Sequence, residues 1–130
     1  MSSDIEARAL AAQERAYAPY SGYRVGAAIE TMDGRVYDGC NVENSSYSVS
    51  CCAERVALFS AVADGARSFR RIAVTASGRS PYPCGSCRQA LAEFAPRIEV
   101  TIVGSGGNRR QFTLDELLPH PFTFSHDGDA

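Results

Sequence analysis

The chain has 130 residues, 45% of them hydrophobic and 22% charged, with a formal net charge of -2; such a chain suits one globular domain with a genuine core. The weak negative charge argues against a nucleic-acid surface or an anionic membrane as partner, and no apolar run reaches the roughly 18 residues of a membrane span. All thirteen basic residues are arginine, which removes lysine Schiff-base and lysine general-base chemistry.

The N-terminal stretch MSSDIEARALAAQERA is charged and helix-like rather than signal-like, so a cytoplasmic location with reduced thiols is the expectation. Ser3 and Glu6 have the form of a capping box, and Ile5, Ala9, Leu10 and Ala12 fall on roughly one side, predicting a helix over 3–16. YAPYSGY reads as a loop. RVGAAIET and RVYDGCNV read as two strands joined by a turn at Met32-Asp33-Gly34. Residues 41–50 are polar and irregular. AERVALFSAVA, residues 53–63, predicts a helix with Val56, Phe59 and Val62 at helical spacing. RRIAVTAS follows as a buried strand, then a proline-glycine loop and a helix from Cys87. IEVTIVG and RRQFTL are two more strands. Thr113 and Glu116 form a second capping box before the short helix LDELL. The order strand–strand–helix–strand–helix–strand–strand implies a helix-covered α/β sheet forming a single domain over 1–130, with 120–130 as a flexible or subunit-bridging tail. Both helices that follow cysteines are expected to connect neighbouring strands and to bring their N-termini together at one end of the sheet.

Four of the five cysteines lie in two short stretches, Ser50-Cys51-Cys52-Ala53-Glu54-Arg55 and Pro83-Cys84-Gly85-Ser86-Cys87. Cys84 and Cys87 alone could be a redox pair or two buried thiols. A third cysteine at another helix start favours a metal, because three thiolates with a fourth open position are a catalytic zinc arrangement. Helix N-termini favour the thiolates such a site needs. Zinc with three thiolates carries a net charge of -1, and a guanidinium on the sulfurs, from Arg55, would restore the Lewis acidity. The only histidines, His120 and His126, lie in the last eleven residues. Proton transfer in the body of the domain therefore falls to a carboxylate, a tyrosine or water. Zinc deaminases use a ligand-x-Glu pattern followed by Pro-Cys-x-x-Cys, with the glutamate as general acid and base. Cys52-Ala53-Glu54 has that spacing, which leaves Cys51 and Cys40 as packed thiols.

At this level the chain resembles the small homotetrameric cytidine deaminases, from Tyr17-Ala18-Pro19-Tyr20-Ser21 to Leu117-Leu118-Pro119. The resemblance includes Tyr23-Arg24-Val25-Gly26-Ala27-Ala28, Gly39-Cys40-Asn41-Val42-Glu43-Asn44, Cys52-Ala53-Glu54-Arg55 and Pro83-Cys84-Gly85-Ser86-Cys87-Arg88-Gln89. It implies an α/β/α fold, with a five-stranded mixed β-sheet sandwiched by helices, and one Zn2+ per subunit on Cys52, Cys84 and Cys87. Glu54 then moves protons to the ring and the leaving ammonia, and Asn41 and Glu43 hold the ribose hydroxyl. Tyr23 (commonly phenylalanine in the family) and Ala53 adjoin the nucleoside, while Phe122 matches a phenylalanine that reaches a neighbouring subunit's site. The second tail aromatic, Phe124, leaves open which of the two does so, and Tyr47 fits either the site or a subunit interface. The implied activity is hydrolytic deamination of cytidine and deoxycytidine in pyrimidine salvage. The rivals are an aminohydrolase for a modified cytosine nucleoside such as blasticidin S, a nucleic-acid editor or binder, and a non-catalytic structural zinc domain. Asn41 and Glu43 suit an unmodified ribose, the negative charge opposes a polynucleotide, and a closed structural site normally has four ligands.

Overall fold

Alternating side chains in the strands decide which helix covers which face of the sheet. The computed structural model describes residues 2–124, residues 2 and 3 by backbone alone. The strands are β1 (Val25–Thr31), β2 (Val36–Cys40), β3 (Phe69–Ala76), β4 (Glu99–Val103) and β5 (Arg109–Thr113), and the helices α1 (Ser2–Gln13), α2 (Ala53–Ala63), α3 (Gly85–Phe94) and α4 (Leu114–Leu117). The sheet order is β2-β1-β3-β4-β5. β1 runs antiparallel to β2 and β3, β3 and β4 are parallel, and β5 returns antiparallel to β4. This is the five-stranded mixed sheet between helices that the sequence implied.

On one face Ala27, Ile29, Ile72, Val74, Val100 and Ile102 pack with Ala57, Leu58 and Ala61 of α2 and Leu91 of α3. On the other, Ala28 and Ala73 meet Ile5 and Ala9 of α1. The period of two in the strands separates these sets. Leu58 and Ile72 are fully buried, so truncating either to alanine costs about 2–5 kcal/mol. Both helix layers lie close to the sheet because glycine faces them. A Cβ on Gly26 would lie 1.9 Å from the Ala9 carbonyl oxygen, and one on Gly39 would lie 2.6 Å from the Ala57 backbone nitrogen. Backbone cannot move aside as a side-chain tip can, so Gly39 sets the height at which α2 delivers its first residues.

Several expectations shift. α1 stops at Gln13 and is followed by a turn, and Leu10 is 55% exposed rather than sharing the buried side of Ile5, Ala9 and Ala12. The Ser3 side chain of the first capping box, His126 and tail residues 125–130 lie outside the described residues. On α2 the buried positions are Ala53, Glu54, Ala57, Leu58 and Ala61, whereas Phe59 is exposed. Of the expected stripe, Val56 and Val62 are half-buried, Val56 against Gly39 and Val62 against the core, and only Phe59 turns outward. α3 begins at Gly85, two residues ahead of expectation. It joins adjacent parallel strands, but α2 joins β2 to β3 across the intervening β1. The second capping box is present, with the Glu116 carboxylate accepting from the Thr113 N–H at 2.8 Å.

Candidate metal centre and active site

Cys52 is the N-cap of α2 and Cys84 the N-cap of α3. The right-handed crossover expected of parallel strands places α3 on the α2 side of the sheet, and there the two helix starts meet. Their sulfurs lie 3.7 Å apart, and Cys84 and Cys87 sulfurs lie 3.5 Å apart. These are free thiols, far beyond the roughly 2.05 Å of a disulfide. Among the described residues, Cys52, Cys84 and Cys87 form the cluster able to hold a metal. Sulfurs about 2.3 Å from a tetrahedral zinc ion sit about 3.8 Å apart, so the donor set fits zinc in chemistry and spacing. Cys51, by contrast, stays out of the cluster. Its backbone forms an isolated antiparallel bridge with Val42, and in extended chain the next side chain points the opposite way.

The electrostatics favour a thiolate there. The Cys52 thiol is pulled down to about 5, first by a hydrogen bond from Cys87 and then by Arg55 and Cys84. Cys87, as the donor in that pair, is pushed up. Arg55 Nη2 donates to the Cys52 sulfur at 3.6 Å, and this contact holds the guanidinium in its charged form. Cys84 also accepts from the Cys87 backbone N–H at 3.4 Å, so the first turn of α3 closes on its own ligand pair.

Glu54, only 5% exposed, lies beside this cluster, and burial lifts its carboxyl to about 7. A cleft of about 540 Å³ opens over it, lined by Tyr23, Val25, Asn41, Cys52, Ala53, Glu54, Cys84 and the loop from Arg79 to Tyr82. Asn41 is locked: its amide oxygen accepts from the Val25 N–H at 2.9 Å, and its amide nitrogen donates to the Tyr23 carbonyl at 2.8 Å. Tyr23 donates its phenol to the Arg79 carbonyl at 2.7 Å, and the Arg79 guanidinium stands 5.1 Å from its ring centre. Burial raises the Tyr23 pKa, which keeps the phenol neutral.

The structure thus brings together Cys52, Cys84, Cys87, Glu54, Ala53, Asn41 and Tyr23, with Arg55 behind the sulfurs. Glu43 lies apart. Its carboxylate accepts from the Tyr20 and Ser21 N–H groups at 3.0 and 3.1 Å and from the Ser21 hydroxyl, which holds its pKa low. It lines a neighbouring hollow of about 350 Å³ with Tyr20, Asn44 and Tyr47. Asn41 and Glu43 therefore do not line one cavity, because local N–H donors capture the carboxylate. Phe122 lies on the flank of α3 beside Pro96 and Pro121, outside the cleft lining, and is 73% exposed. The sequence reading overlooked Arg79, Ser80, Pro81 and Tyr82. The available signal was their place between the carboxyl end of β3 and the Pro83-Cys84 motif, where open α/β sheets hold ligands.

Comparison with known proteins agrees with this geometry. Residues 2–105 match the family model described as cytidine and deoxycytidylate deaminase zinc-binding region. A cytidine deaminase of Sporosarcina psychrophila is 48% identical over 114 residues, covering 86% of this chain and 84% of its own. The crystal structure of cytidine deaminase from Burkholderia pseudomallei superposes with a TM-score of 0.90 at 46% identity, covering 94% of this chain and 99% of that one. A blasticidin-S deaminase of Bacillus cereus is 32% identical, over 78% of each chain.

Proposed function

We propose, from the premise that this chain belongs to the cytidine and deoxycytidylate deaminase family, that it hydrolyses cytidine and deoxycytidine to uridine and deoxyuridine with release of ammonia. The observation that carries this reading is a buried carboxylate, Glu54, beside three convergent cysteine sulfurs on the floor of a nucleoside-sized cleft. Cys52, Cys84 and Cys87 are the residues that would hold the zinc. Zinc held by three thiolates with one open position supplies the Lewis acidity that brings the pKa of water toward about 7.

The side chains do the rest. Glu54 takes a proton from the water whose oxygen bonds to C4, and passes it to ring N3. Glu54 then takes the remaining proton from the hydroxyl now on C4 and delivers it to the amino nitrogen, so that the C4–N bond breaks as the C4 carbonyl forms and ammonia leaves. A carboxyl near 7 suits this exchange, since both of its protonation states are accessible at neutral pH. Arg55 draws electron density from Cys52 and offsets the negative charge of three thiolates. Tyr23 and the Ala53 backbone border the space for the nucleoside, and Asn41 offers its remaining amide capacity to a ribose hydroxyl.

The finer assignment is a cytoplasmic pyrimidine-salvage enzyme acting as a homotetramer, with Glu43 at the sugar end and Phe122 completing a neighbour's site. Association, within that assignment, is supported by the surface: Tyr47, Val49, Phe59 and Phe122 are 78%, 64%, 49% and 73% exposed, apolar area that a partner copy would cover. The test of activity follows loss of the cytosine absorbance band when the zinc-loaded protein meets cytidine, deoxycytidine or blasticidin S. Turnover of the two nucleosides is expected, and turnover of blasticidin S alone would overturn the assignment. The test of assembly mixes Glu54→Gln chains with Phe122→Ala chains after mild dissociation. Activity above that of either parent is expected, because some sites then pair an intact Glu54 with an intact Phe122. A monomer by light scattering, with no gain on mixing, refutes completion in trans.

A further inference from the structure

The turn of α3 that carries two metal ligands also grips the C-terminal segment. Immediately after Cys87, Arg88 Nη1 donates to the Leu117 carbonyl at 2.7 Å. Gln89 then meets both main-chain groups of a single distant residue. Its amide oxygen accepts from the Phe122 N–H at 3.1 Å, and its amide nitrogen donates to the Phe122 carbonyl at 2.8 Å. A primary amide paired in this way imitates a strand neighbour and fixes the Phe122 backbone in orientation as well as position. Pro119 and Pro121 fix φ on the approach and contribute no N–H of their own. The ring of Phe122 nevertheless remains 73% exposed. An aromatic held rigidly at its backbone and left uncovered at its ring is pre-organised for a partner, which lowers the ordering cost on association.

We infer that Gln89 is a positioning residue: its amide clasp aims Phe122 into the cleft of a second copy of this chain, which makes Phe122 rather than Phe124 the donated aromatic. This rests on the reading that Phe122 completes a neighbour's site. It also means that the helix start holding one site's metal aims the aromatic that closes another. The clasp acts on binding rather than on proton transfer, so its loss belongs in KM.

The experiment compares Gln89→Leu, Phe122→Ala and the double variant, each with zinc content and particle mass checked. Gln89→Leu is expected to raise KM for cytidine about 5- to 10-fold, the size of one or two net hydrogen bonds, with kcat within about twofold. In the Phe122→Ala background the same substitution is expected to add nothing, because its effect passes through the ring already removed. Additive effects, or equal losses in kcat and KM, would show that Gln89 supports the metal helix instead and overturn the inference. If Phe122→Ala raises KM but Gln89→Leu does not, the inference fails while completion in trans stands. If Phe122→Ala leaves KM unchanged, completion in trans fails and the inference with it. Hydrogen exchange on the zinc-loaded, unsubstituted protein reads the clasp without relying on any variant's folding: the Phe122 amide should be protected, and exchange at the free-peptide rate refutes it.

Discussion

The floor of the cleft and its outer edge are built by different means. On the floor, Cys52, Cys84 and Cys87 converge within one chain, Glu54 is buried beside them, and Arg55 caps a sulfur. Around it, Glu43 and the 78% exposed Tyr47 line a neighbouring hollow, while Phe122, 73% exposed, lies apart on the flank of α3. The floor must be dry and pre-organised before substrate arrives, because proton transfer depends on fixed distances and low dielectric. The exposed residues around it face no such constraint. One chain thus assembles the sulfur cluster with its buried carboxylate, and leaves Tyr47 and Phe122 uncovered.

Removing a ligand tests the floor most severely. Cys87→Ala is expected to lose zinc and activity together and to lower the melting temperature, since the ion would tie two helix starts. Zinc counted by atomic emission checks it; one ion per chain in the variant would place the metal elsewhere. Glu54→Gln should keep zinc and fold but cut kcat at least about 10²- to 10⁴-fold, the range for one general acid–base group. Activity within threefold of the parent would take Glu54 out of the mechanism.

Asn41 stands between the two regions and sharpens the contrast. Asn41→Ala strands the Val25 N–H and the Tyr23 carbonyl, and should cost about 1–3 kcal/mol of stability by denaturant melt. It should also raise KM for cytidine by about 2- to 10-fold through a lost hydroxyl contact. Lost stability with an unchanged KM would make Asn41 a scaffold residue alone. The smallest effect is expected at Cys51→Ala. Zinc content should not change and kcat should stay within about twofold, because Cys51 lies outside the sulfur cluster. Loss of zinc there would reverse the ligand assignment within Ser50-Cys51-Cys52.

Local patterning identified the metal ligands, although the fold brought Cys52 to Cys84 across 32 residues. Cys84 and Cys87 are one helical turn apart, so spacing alone brings that pair together once a helix forms, and Cys52 and Glu54 were legible as a ligand-x-Glu pattern at a helix start. The strand periods and the Thr113–Glu116 capping box were legible for the same reason. What local patterning leaves open is any choice between equivalent faces, or any partner far along the chain. Which helical face of α2 turns inward, that of Ala57, Leu58 and Ala61 with Phe59 outward, was settled by packing on the sheet, where the α2 backbone comes against Gly39. Ser21 and the Tyr20 backbone, not the spacing from Asn41, decided where Glu43 points. The Arg79 loop joined the cleft through Tyr23, and Gln89 found Phe122 across 33 residues. Each of these depends on which backbones the folded sheet brings close, and that proximity exists only after the chain has packed.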